Sequence, residues 1–173
     1  TDDPTLGLSN ITNWMLNGSS IAVLNMPFNM KNYADPTKSY STFENEGEIG
    51  NGTDGTDPYW NLSKVGPGYW FDGIDDHIII PHKTELNIDK AITIAGWFNS
   101  TAPPEAQQYI MTKYDSWAIW LSGSEFHFGA QDSAGYVDLS TDPIINRKEW
   151  YHFAVTWDGT NNFGTHVSAG VYL

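Results

Sequence analysis

Asp72, Asp75 and Asp76 crowd into Tyr69-Trp-Phe-Asp-Gly-Ile-Asp-Asp-His-Ile-Ile-Ile80, between an aromatic run and an aliphatic one. Carboxylates this close repel one another, so the cluster needs a physical reason. A turn supplies part of it. Asp72-Gly73 is a strong hairpin signal, because Gly accepts positive φ and Asp caps its own backbone. Asp75 and Asp76 would then open the returning strand, which leaves the third carboxylate poorly explained. Calcium accounts for all three, since this hard cation takes roughly six to eight oxygens from carboxylates, carbonyls and amides. Asn29, Asp35 or the 44–54 loop could complete such a shell. The turn and the calcium readings both remain open.

Acid catalysis is the third use of paired carboxylates. A retaining glycosidase needs two carboxyls about 5 Å apart on one rigid face. The nearest imitation, Glu44-Asn-Glu46-Gly-Glu48, is interrupted by Gly47 and reads as a solvated acidic loop. The histidines (His77, His82, His127, His152 and His166) show no zinc-ligand spacing with acidic partners. No nucleophile elbow, P-loop or dinucleotide fingerprint occurs. The chain is expected not to be an enzyme.

The elements that must hold these residues are strands. Helical periodicity is absent, and apolar residues alternate or form short runs between turn residues. Strands are expected at Ile21–Pro27, Gly68–Phe71, His77–Ile80, Ile92–Asn99, Tyr109–Tyr114, Trp117–Leu121, Glu125–Gly129, Tyr136–Thr141, Trp150–Trp157 and Thr165–Leu173. Residues 30–66 are the least regular part. Side chains alternate between the faces of a strand. If Trp117, Ile119, Leu121, Phe126, Phe128, Val137 and Leu139 form core, then Ala118, Trp120, Glu125, His127, Tyr136, Asp138 and Ser140 share the opposite face. Rings mixed with carboxylates and an imidazole suit a sugar, whose C–H faces lie on aromatics while its hydroxyls meet planar polar groups. Trp120, His127, Tyr136 and Asp138 are therefore the candidate ligand-binding residues. The competing reading is that other segments cover this face and make Trp120 and Tyr136 ordinary packing. Trp97, Trp150 and Trp157 sit in the densest apolar strands and are expected in the core. Tyr59 and Trp60 follow a proline in a loop, as a binding tip or a lid.

Composition bounds the partners. The chain has 173 residues, 14% of them aromatic, with 21 acidic against 8 basic residues and a formal net charge of −13. It is expected to form one domain, over 21–173, preceded by a polar lead-in over 1–20. The acidic excess argues against nucleic acid and anionic membrane as partners, and no apolar run is long enough for a membrane span. There is no cysteine, hence neither disulfide nor thiolate metal site. Asn-x-Ser/Thr occurs at Asn10, Asn17, Asn51, Asn61 and Asn99, five glycosylation acceptors that point outside the cell. With no cysteine, they fit a surface glycoprotein of an organism that does not rely on disulfides, an archaeon for instance. The start at Thr1 reads as a processed or excised piece.

In order along the chain, Gly68-Tyr-Trp-Phe-Asp-Gly-Ile-Asp-Asp-His-Ile78, Leu86-Asn-Ile-Asp-Lys-Ala-Ile-Thr-Ile-Ala-Gly-Trp-Phe98 and Glu149-Trp-Tyr-His-Phe-Ala-Val-Thr-Trp-Asp-Gly159 resemble the motifs of laminin G-like domains of the concanavalin A-like class. Met26-Pro-Phe-Asn29 is similar to that family's first strand. Ser39-Tyr-Ser-Thr-Phe-Glu-Asn45 departs from it by lacking a leading Asp. The resemblance implies an all-β antiparallel jelly-roll sandwich, often with a bound calcium, and a non-catalytic extracellular module for glycan binding or adhesion. Glycosidases of the superfamily carry Glu-x-Asp-x-x-Glu or Glu-x-Asp-x-Glu on one strand, which is not found here. Family members continue through further strands beyond the one ending at Leu173. Either the sequence is truncated there or a partner supplies the missing strands; the second option gives the alternative expectation, a structural subunit of a surface layer or filament completed by strand exchange between copies.

Overall fold

In the computed structural model, residues 13–28, 37–43, 45–50, 55–86, 91–114, 116–132, 135–157 and 170–172 are described, with side chains throughout except in 131–137 and 170–172. They form strands, turns and one 3-10 turn, with no α-helix among the described residues. The chain falls into two compact units, 1–86 and 87–173.

The first unit holds β1 (Met15–Leu16), β2 (Ser19–Ser20), β3 (Glu48–Ile49), β4 (Tyr59–Ser63), β5 (Gly66–Trp70) and β6 (Ile78–Ile79), and ends in the 3-10 turn Thr84–Leu86. Each strand pairs antiparallel: β1 with β2, β3 with β6, and β4 with β5. The strand expected over Ile21–Pro27 is not formed. Its backbone is satisfied by other means: Asn25 O accepts from Tyr40 N, and Val23 O accepts from Asn45 Nδ2 and Ser41 Oγ. Side chains have replaced a strand ladder there, which removes the need for a partner strand. The expected lead-in instead contains the β1–β2 hairpin, closed by Asn17-Gly18 with φ of 51° and 83°, the conformation Asn-Gly favours in two-residue turns. Likewise β4 lies inside the stretch read as irregular.

The second unit is a sandwich. It contains β7 (Ile92–Asn99), β8 (Gln108–Lys113), β9 (Trp117–Ser122), β10 (Glu125–Asp132), β11 (Gly135–Ser140), β12 (Trp150–Trp157) and β13 (Gly170–Tyr172). One sheet runs β13-β12-β7 and the other β11-β10-β9-β8, with antiparallel pairing throughout. Their inner faces meet in a single apolar core. Ile92, Phe98, Phe153, Val155 and Trp157 come from the first sheet, Ile119, Leu121, Phe126, Phe128 and Ala130 from the second. Four rings interlock at its centre: Phe98 lies 5.8 Å from Phe126, 5.7 Å from Tyr151 and 6.1 Å from Phe153. Offset and tilted pairs at such separations contribute about 0.5–1.5 kcal/mol each beyond their area. Gly96 is opposite Phe153, whose ring would meet an added Cβ at 3.1 Å, so the small residue is what lets that ring lie flat.

The core placement expected of Trp97 and Trp150 does not hold, while that of Trp157 does. Trp97 is 45% exposed and Trp150 38%. The cause is strand period. With Ile92 and Phe98 turned inward, Trp97 must point outward. With Phe153, Val155 and Trp157 inward, Trp150 and His152 must do the same. The sandwich is sealed by phenylalanines and Trp157, not by the two indoles.

Candidate functional site

The second sheet presents a row of rings on its outer face. Tyr109 on β8 is directly opposite Trp120 on β9, which is directly opposite His127 on β10. Directly opposed residues share a face, so the register stacks the three in line. Ring centroids are 6.1 Å apart for Tyr109–Trp120 and 5.0 Å for Trp120–His127, the latter nearly parallel at 14°. The expected hairpin of β9 and β10 forms, and Trp117 and Leu139 pack against the core as assigned from alternation.

His127 links this row to two carboxylates. Its Nδ1 lies 3.3 Å from Asp138 Oδ1 on β11. Its Nε2 lies 3.3 Å from Glu125 Oε2, close but without hydrogen-bond alignment. Both carboxylates keep solvent access, whereas the imidazole between them is largely buried. Sequence alternation thus brought Trp120, His127 and Asp138 together correctly. Tyr136 pairs with Gln131 in the same sheet, and its side chain lies outside the described residues.

One role changes. Trp120 is only 7% exposed, so its ring is packed between its neighbours, as the competing reading expected, and offers no free face to a ligand. The exposed ring is Tyr109, at 61%. Alternation along Gln108–Lys113 was the signal that could have found it. A β-bulge between Tyr109 and Met111 offsets β8 immediately beside it, a device that often re-aims side chains near functional sites. The arrangement combines an exposed phenol at one end with two carboxylate acceptors, spaced by an imidazole, at the other.

The aspartate cluster forms as a tight loop in the first unit. Asp72 Oδ1 accepts from Ile74 N at 2.8 Å and Asp75 N at 3.3 Å, and Asp76 Oδ2 accepts from Asp72 N at 2.7 Å. Gly73 supplies the positive φ of 79° that the turn requires. The backbone N–H of Ile74, foremost among several, holds the Asp72 carboxyl below its ordinary pKa. Turn chemistry thus occupies Asp72 and Asp76 directly, which explains more of the cluster than the hairpin signal alone. The three residues also present oxygens within 4.8 Å of one another. Two ligands about 2.4 Å from one ion can be no farther apart than that, so their carboxylates fit a calcium ion as a partial shell. Asn29 and Asp35, expected to complete it, lie outside the described residues.

Among the glycosylation acceptors, Asn17 stands exposed at a hairpin tip and Asn61 is exposed on β4. Asn99 is half-buried at the end of β7, and the Ser100 hydroxyl of its motif bonds Gln108 and Arg147. Asn10 and Asn51 lie outside the described residues. Glu46 and Glu48 are exposed, and Glu44 is outside the described residues.

No curated protein and no solved structure matches the chain. A family model does, over residues 72–169, a span that takes in the aspartate loop, the ring row and both sheets except β13. With more than half of its 173 residues matched, and with an antiparallel sandwich built from them, the chain belongs to the laminin G-like family of the concanavalin A-like lectin/glucanases superfamily.

Proposed function

We propose that the chain is a non-catalytic, extracellular glycan-binding or adhesion module, with Tyr109, Glu125, His127 and Asp138 as its binding face and Trp120 packed between them. Domains of this superfamily often bind carbohydrates or mediate adhesion. The observation that carries the reading is the Tyr109–Trp120–His127 row with its flanking carboxylates. An oligosaccharide, long enough to cross the four strands, can lay the C–H face of one pyranose on Tyr109 while hydroxyls of another donate to Asp138 and Glu125. His127 holds Asp138 in place. Calcium at Asp72, Asp75 and Asp76 would brace the aspartate loop itself.

A glycan array probed with the parent and with Tyr109→Ala and Asp138→Asn, in calcium and after chelation, tests both parts. Retention by the parent and a loss of about tenfold or more in either variant, with unchanged melting temperature, is the expected result. Equal retention by all three removes the site. Equal melting with and without chelator removes the calcium.

A second reading draws on β7. This eight-residue strand is an edge of its sheet among the described residues, and exposed edges of such length template strand addition. A surface layer or filament subunit would use it so. Large assemblies in size-exclusion chromatography favour that reading, and a monomer at all concentrations discards it.

A further inference from the structure

The two indoles that turn away from the core create a surface that the ring row does not explain. On the outer face of the β7–β12 pair lie Thr93, Ala95, Trp97 and Asn99, opposite Thr156, Ala154, His152 and Trp150. Trp97 is paired with His152, and Trp150 with Asn99, which makes Trp97 and Trp150 diagonal neighbours, about 7–8 Å apart across the ladder. The His152 ring meets Trp97 at 5.2 Å and 64°, an edge contact that steadies the indole while leaving it half-exposed. At the other end of the face the Thr93 and Thr156 hydroxyls bond each other at 3.1 Å.

Its chemistry separates this face from ordinary sheet packing. Among the described side chains of the β7–β12 pair no Ile, Val or Leu points outward, so the pair does not present an aliphatic layer. Apart from the His152 imidazole, the described residues of the β7–β12 pair put no ionisable side chain on it, although the chain has 21 acids and a net charge of −13. An anionic partner would be repelled by the whole molecule, and a second copy brings another −13 against the first. An uncharged partner meets neither obstacle. Two adjacent exposed indoles, flanked by the Asn99 amide and the His152 imidazole, match a neutral sugar, whose C–H face stacks on a ring while its hydroxyls bond the polar groups beside it. We infer that Trp97, Trp150 and His152 form a second, independent platform for uncharged pyranose-containing glycans, on the opposite sheet from Tyr109. It shares the glycan-binding reading with the first site but none of its residues, so the two fail separately.

Affinity electrophoresis through a soluble neutral β-glucan and a neutral mannan, with anionic alginate as control, tests it. The parent should be retarded by at least one neutral polymer and not by alginate. The variant Trp97→Ala/Trp150→Ala should lose that retardation by about tenfold or more in apparent affinity, and Tyr109→Ala should keep it in part. Because indole removal can disturb folding, Ala95→Glu is run beside it. That change puts a longer side chain beside Trp97, in the space a stacked ring would need, without replacing either indole or a core residue, and it should weaken retardation as well. Retardation of both platform variants equal to the parent overturns the platform, and if Tyr109→Ala alone abolishes binding, only the first site exists. Absence of retardation by either neutral polymer overturns it too. So does a parent dimer, seen by sedimentation, that dissociates in the double variant, since the face would then be a contact between copies.

Discussion

Phe126 and Trp97 show how one residue's parity outweighs its hydrophobicity. Both are large and aromatic, yet Phe126 is fully buried between the sheets and Trp97 stands half in water. Replacing Phe126 by Ala should cost about 3–5 kcal/mol, through lost transfer energy and the cavity left behind. Trp97→Ala should cost about 1 kcal/mol or less, as surface changes do. Urea denaturation midpoints check the pair, and similar losses for both would mean that the outward assignment of Trp97 on β7 is wrong. At Asp72 the sign follows from its lowered pKa. An unfolded aspartate titrates near about 3.9. The bonds from Ile74 and Asp75 therefore stabilise the loop above that pH and are lost as pH falls through the lower folded value. In an NMR titration the Ile74 amide should shift with a midpoint below about 3.9, and a midpoint at or above it would contradict the turn bonding.

Between the sheets, the connection 141–149 acts as a clasp. Thr141 N donates to Phe126 O, Thr141 Oγ1 accepts from Phe126 N, and Ile145 N donates to Ser124 O, fastening the connection to the start of β10. Tyr151 Oη accepts from Asn146 N at 2.9 Å, so the core strand β12 grips the same connection. Arg147 completes it: Nη1 donates to Ser100 Oγ at 2.9 Å and Nη2 to Gly123 O at 2.6 Å, tying the end of β7 to the β9–β10 turn. Hydrogen bonds from a charged group are the stronger kind. Arg147→Ala should lower stability by about 2 kcal/mol, and Arg147→Lys should recover little because an ammonium lacks the fork that reaches two acceptors. Full recovery by Lys in thermal melts would show that charge alone matters.

For the molecule as a whole, the charge of −13 opposes compactness. Raising ionic strength shortens the screening length from about 30 Å at 0.01 M to about 8 Å at 0.15 M. The melting temperature should rise over that interval with an inert salt such as NaCl. A flat or falling curve would mean that attractive charge pairs outweigh the repulsion.

Alternation and turn residues in the sequence determined the strands 92–99 and 150–157 to the residue, the β9–β10 hairpin, and the shared face of Trp120, His127 and Asp138. These are local properties, set by side-chain period and by residues that bend the chain. Tertiary structure decided which face of β7 and β12 turned inward, because Trp97 and Phe98 are both apolar and only the opposing sheet selects between them. It also decided that Trp120 is packed between its neighbours and Tyr109 is the exposed ring, since cross-strand register and a bulge bring together residues far apart in sequence. The backbone of 21–27, satisfied by side chains from 41–45, was hidden for the same reason: hydrogen bonds between distant segments leave no periodic trace in either one.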